Sequence, residues 1–136
     1  MIFEKGDIMV EKQILVVDDE ESICLLLKSA LMTKGYSVLT AETPEKALDI
    51  LDKNTILVMF IDLNLPGMTG VELCREIIKR NPLVIAYAIT GYASHFELAE
   101  CKGAGFEDYF KKPVRLVDVF NAAERAFEKI ERWKKN

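Results

Sequence analysis

The chain has 136 residues, half of them hydrophobic and 29% charged, with a formal net charge of −4. That length suits one domain with a proper core, and the composition excludes a disordered chain. The acidic balance gives no electrostatic case for nucleic acid or an anionic membrane as a direct partner.

No apolar run approaches the length of a membrane span, and the charged start MIFEKGDIMVEK does not read as a signal peptide. The three cysteines, Cys24, Cys74 and Cys101, are odd in number and match no metal motif, so free packing thiols in a cytoplasmic protein are expected. A single histidine, His95, argues against a histidine-built metal site or catalytic triad and is expected at the surface.

Residues 1–12 show no periodicity and read as an N-terminal extension, with Met9 a second candidate start. Gln13 to Val17 is a short β-branched run that suits a strand buried on both faces, and four acids follow it, Asp18-Asp19-Glu20-Glu21. From Ser22 the pattern becomes helical, with Ile23, Leu26, Leu27, Ala30 and Leu31 on one stripe and Gly35 as the stop. A second strand, Ser37 to Ala41, leads to Thr43 as N-cap and Pro44 at the first helical position.

The third strand is the apolar run Ile56 to Ile61, which drives directly into Asp62. A turn follows through Asn64, Pro66, Gly67 and Gly70, and Thr69 with Glu72 has capping-box spacing for a helix ending near Arg80. On this stretch alone, Asp62 either merely ends a strand or brings chemistry to the sheet edge. Leu83 to Ile89 reads as a fourth strand ending at Thr90-Gly91, followed by a short helix from Phe96 to Lys102 that Gly103 and Gly105 break. Phe106 to Lys111 is the fifth strand, ending in Lys112-Pro113. The last helix carries Leu116, Phe120, Ala123, Phe127 and Ile130, with Lys129, Arg132, Lys134 and Lys135 near its end, where the helix dipole favours cations. Trp133 is expected to be partly exposed.

Strict strand–helix alternation predicts an α/β fold: one doubly wound, five-stranded parallel sheet with helices on both faces. Right-handed crossovers put every strand's carboxyl end on one edge. That edge then receives Asp18 and Asp19, Asp62, Thr90 and Lys112. Like charges about 4 Å apart repel by roughly 4 kcal/mol at an effective dielectric of ~20, so clustered carboxylates call for a cation. Hard oxygen ligands select an ion such as Mg²⁺, which keeps waters and completes its shell with phosphate oxygens. A carboxylate beside such an ion, an ammonium and a hydroxyl suits phosphoryl transfer onto the carboxylate itself, which needs no general base at neutral pH.

Four motifs, in order and at the right strand ends, are similar to those of the receiver domains of two-component response regulators: Asp18-Asp19, IDLNLPGMTG around Asp62, ITGYA with Thr90, and GFEDYFKKP with Tyr109 and Lys112. The resemblance runs from Gln13 to about Ile130 and implies a flavodoxin-like receiver domain over residues 13–132, strand order 2-1-3-4-5, with no output domain expected. It implies Asp62 as phosphoacceptor, with Mg²⁺ held by Asp19, Asp62 and the Asn64 backbone carbonyl, and by Asp18 through water. Thr90 and Lys112 would contact the phosphoryl oxygens, and Thr90 with Tyr109 would act as the switch. The implied donor is a sensor histidine kinase or histidine phosphotransfer protein. The implied reader is a protein target at the face of the fourth helix, fifth strand and fifth helix, or the next carrier in a phosphorelay. Such a chain is a signalling phosphoacceptor, not a turnover enzyme. Val114 departs from the aromatic residue usual after Lys-Pro, and Asn64 and Tyr92 occupy positions that modulate dephosphorylation in the family.

Two other readings compete. An interaction module of the same fold would work without phosphorylation, although it would usually lack one member of the acidic, hydroxyl and lysine set. A free-standing phosphatase would place its nucleophile on the first strand with a second Asp two residues on, a spacing that Asp18-Asp19-Glu20 does not provide.

Overall fold

Apolar runs bounded by turn residues become five parallel strands, and amphipathic segments between them become helices. The structure, a computed structural model, describes residues 12–91 and 94–134. In chain order the elements are β1 (Gln13–Val17), α1 (Glu21–Thr33), β2 (Ser37–Ala41), α2 (Pro44–Lys53), β3 (Val58–Asp62), α3 (Gly70–Arg80), β4 (Ile85–Thr90), α4 (His95–Ala104), β5 (Asp108–Lys111) and α5 (Leu116–Lys134). The sheet is all parallel, as expected from the alternation, and its order is β2-β1-β3-β4-β5, as the receiver resemblance implies. Residues 1–11 of the N-terminal extension, with Met9, and also Tyr92 and Lys135 lie outside the described residues.

Because strand side chains alternate, the sheet builds two cores. Leu15, Val17, Met59, Ile61, Ala86 and Ala88 point to one face, against α2, α3 and α4. Ile14, Val16, Val58, Phe60, Tyr87 and Ile89 point to the other, against α1 and α5. β3 is buried along its whole length, as a central strand covered on both sides must be.

Several element boundaries and faces differ from the sequence reading. β3 and β4 begin at Val58 and Ile85 because burial of Ile56 and Val84 runs beyond the regular strand. Leu83 is 48% exposed, in a turn where its N–H donates to Asn81 Oδ1. α4 includes Gly103 and stops only at Gly105, whose φ of +105° suits a residue without a Cβ. The α1 stripe is Cys24, Leu27 and Leu31, which leaves Leu26 48% exposed.

In α5 the buried residues are Val119, Ala122, Ala123 and Ala126, while the larger Phe120, Phe127 and Ile130 sit on the flanks. The sheet itself supplies the bulk there. Phe60 stacks on Tyr87 at 5.2 Å between ring centroids, Phe110 lies 5.7 Å from Tyr87, and only small helix residues fit against that cluster. Tyr87 Oη donates to the Ala122 carbonyl at 3.0 Å, pairing the one polar atom of the stack. His95 and Trp133 are exposed and all three cysteines buried, as expected.

Candidate functional site

The site is assembled from backbone outward. Asp18 follows β1, and its N–H donates to the Ala41 carbonyl, extending the ladder one residue past the strand. Its carboxylate is fully buried, and Oδ1 accepts the Glu20 N–H at 2.9 Å, folding the chain sharply into α1. The Cys24 thiol donates to the Asp18 carbonyl at 3.3 Å, with burial pushing that thiol up to about 11. Burial likewise raises Cys74, to about 12, and Cys101, so none of the three is a ready thiolate at neutral pH.

Asp62 ends β3, 2% exposed, and its Oδ1 accepts the Asn64 N–H at 3.1 Å. The loop beyond closes when the Gly70 N–H donates to the Leu63 carbonyl at 3.0 Å, and the reciprocal Thr69–Glu72 capping box starts α3. Gly70 has to be glycine: a Cβ there would run into the Asp62 carbonyl oxygen and lie 2.7 Å from Leu63 Cα. Thr90 is buried at the end of β4, and the Lys112 N–H donates to its carbonyl at 2.7 Å.

The Lys112 ammonium is the electrostatic centre. Its Nζ lies 3.0 Å from Glu20 Oε1, 3.1 Å from Asp18 Oδ2 and 3.5 Å from Asp62 Oδ2. The Asp18 contact is an ion pair by distance but is poorly aligned as a hydrogen bond, so Asp18 Oδ2 has no directed donor. Burial alone would lower the Lys112 pKa, but its Glu20 and Asp18 contacts and the Asp62 charge outweigh that and raise it. Burial raises Asp18 above the usual carboxylate range; the Glu20 N–H and Lys112 oppose the shift, and the Asp62 charge adds to it.

One oxygen each from Asp18, Asp19 and exposed Asp19's buried neighbour Asp62 can be chosen within 4.8 Å of one another. Three hard oxygens, one of them buried without a directed donor, fit a small divalent cation such as Mg²⁺ that retains part of its water. A buried carboxylate that shares its surroundings with a candidate cation site and an ammonium can accept an electrophilic group that carries negative charge.

Residues 14–124 match the response regulator receiver domain. The chain belongs to that family. It is 30% identical to the sporulation initiation phosphotransferase F of Bacillus subtilis over 119 residues, 86% of this chain and 94% of that protein. It is 32% identical over 103 residues to a cyclic di-GMP phosphodiesterase of Thermotoga maritima, 76% of this chain and 27% of that protein. A CheY-like receiver structure from Methanospirillum hungatei superposes with a TM-score of 0.87 at 30% identity, covering 90% of this chain and 98% of that one. The chain spans 27–48% of the length of the first three curated relatives it matches.

In this receiver, Asp18, Asp19, Asp62 and Lys112 converge, and the Thr90 backbone is tied to Lys112. Asn64 folds back on Asp62 through its N–H. Tyr109 stands opposite Ala88 in the β4–β5 register, two residues before Thr90, and is 45% exposed. Sequence reasoning passed over Glu20 and Cys24. Glu20 was visible only as one of four successive acids, and Cys24 gave no signal beyond helical spacing.

The raised Asp18 pKa sets a sign for pH dependence. A carboxyl whose folded pKa exceeds its unfolded value of about 3.9 contributes stability below that value, and loses it as pH rises through the folded pKa. With divalent ions chelated, Asp18→Asn is therefore expected to be more stable than the parent at neutral pH, by a margin that shrinks as pH falls. Urea unfolding across that range checks it, and a margin that widened toward acid would contradict the assigned shift.

Proposed function

We propose that this receiver takes a phosphoryl group on Asp62 from a histidine kinase or histidine phosphotransfer protein, in the presence of Mg²⁺, and passes the signal on by phosphorylation-dependent protein binding or onward transfer. The working unit of this reading is residues 13–132. What carries it is the convergence of three carboxylates and one ammonium on a single sheet edge.

In the transfer, an Asp62 oxygen forms a bond to phosphorus as the bond from phosphorus to the donor's nitrogen or oxygen breaks, and the donor leaves with the electron pair. Asp19, Asp62 and the Asn64 carbonyl, with Asp18 through water, would hold Mg²⁺, which would supply charge neutralisation at the phosphoryl oxygens. Lys112 contributes the second positive charge, and the Asn64 N–H fixes the Asp62 carboxylate's rotation. Thr90 turns its hydroxyl toward the new oxygens, and Tyr109 follows, changing the α4–β5–α5 face. Leu25 and Leu26 are about half exposed in the second turn of α1, close to the acidic edge, a surface suited to a donor protein. The near end-to-end match to a phosphotransferase supports onward transfer as one output.

The test is incubation with acetyl phosphate with and without Mg²⁺, followed by intact mass and peptide mapping. One acyl phosphate is expected, dependent on Mg²⁺, labile to hydroxylamine and located at Asp62. Uptake at another residue, or none, would overturn the assignment.

A further inference from the structure

Glu20 sits at the N-cap of α1, yet its side chain caps nothing. Short side chains are preferred at that position because they reach back to the first-turn N–H groups. The Glu20 carboxylate instead extends to Lys112, 92 residues away in the chain, at 3.0 Å. Of the ammonium's three acidic partners, Glu20 is the nearest and Asp62 the farthest. Glu20 is also the exposed member of the trio, at 57% of its side-chain surface, against 0% for Asp18 and 3% for Asp62.

We infer that Glu20 is a positioning residue that draws Lys112 toward itself, leaving only a long 3.5 Å hydrogen bond to Asp62, and so acts as a brake on phosphoryl uptake. The inference rests on Asp62 being the acceptor. An incoming phosphoryl group has to draw the ammonium from Glu20 before Lys112 can neutralise its oxygens. Glu20 also competes from the side open to solvent, where its charge is the one the site gives up most easily. Its backbone N–H holds Asp18 Oδ1 in the same turn, so the N–H and the side chain of this one residue orient two members of the site.

The experiment uses the full chain with acetyl phosphate at saturating Mg²⁺. Glu20→Gln is expected to raise the rate of uptake about two- to fivefold, the range set by an exposed ion pair. It is expected to tighten binding of beryllofluoride, a phosphoryl mimic, by a similar factor, and Glu20→Asp should fall back toward the parent. The decisive arm is the Lys112→Met background, in which Glu20→Gln should change neither quantity, because the brake acts only through the ammonium. An unchanged or slower Glu20→Gln would overturn the inference, as would an equal gain in the Lys112→Met background, which would make Glu20 a general source of repulsion. These failures differ from failure of the acceptor assignment, in which the parent itself would take no phosphate at Asp62; that result removes both.

Discussion

Asp62→Asn is expected to abolish phosphoryl uptake and to leave the protein more stable than its parent. The amide matches the carboxylate in shape and keeps an oxygen for the Asn64 N–H, so the β3–α3 loop is preserved. What it removes is the anionic nucleophile, and a neutral amide does not displace a donor from phosphorus at neutral pH. The stability gain comes from charge. Asp18, Glu20 and Asp62 share one ammonium with Asp19 close by, and the Asp62 charge is among the causes that push Asp18 upward. Lys112 loses only its longest contact, at 3.5 Å. Relief of like-charge repulsion should therefore win, by about 1 kcal/mol in chelator. Intact mass after acetyl phosphate treatment and urea unfolding read the two effects separately. An Asn variant that still became phosphorylated, or was clearly less stable than the parent, would contradict this account.

Gly70→Ala is expected to act in the opposite direction on stability. The added methyl would meet main chain, the Asp62 carbonyl and Leu63 Cα, and main chain cannot swing aside as a side-chain tip can. Overpacking of this kind costs about 2–3 kcal/mol when the surroundings must shift. The atoms forced to move are those that aim the Asp62 carboxylate, so phosphoryl uptake should slow as well, even in the fraction that remains folded. Gly103→Ala is the internal comparison: a Cβ at that helical position meets nothing within 4 Å, and the substitution should add about 0.5–1 kcal/mol. Similar unfolding midpoints for the two variants would show that the predicted backbone collision at Gly70 is absent.

The fold was readable because local and global signals agree. Helix starts announced themselves chemically, through Thr43-Pro44 and through Thr69 with Glu72, and both caps form as their spacing indicates. Strand–helix alternation then gave a parallel sheet with every strand end on one edge, where Asp18, Asp62, Thr90 and Lys112 meet, while the strand order came from the receiver resemblance. What escaped were quantities that depend on a partner remote in sequence. No periodicity indicates that Lys112 reaches Glu20, since only the folded crossover brings them together. Nor does an apolar stripe tell which of its members faces the sheet. In α5 the choice fell on Ala122 and Ala126 because Phe60, Tyr87 and Phe110 had already filled the space. In α1 the buried line runs through Cys24, and Leu26 turns outward.

At this edge the backbone ladder does not stop where the strands do. The amides of Asp18, Leu63 and Lys112 are each spoken for by the carbonyl of a neighbouring chain segment, at Ala41, Ile89 and Thr90. These three main-chain amides are therefore committed within the sheet edge, and on the proposed reading an arriving phosphoryl group would find them already paired. If Asp62 is the acceptor, as proposed, the frame around it is stitched to its neighbours by backbone, and the lifetime of the signal would be set by the chemistry of one acyl phosphate rather than by refolding of the edge.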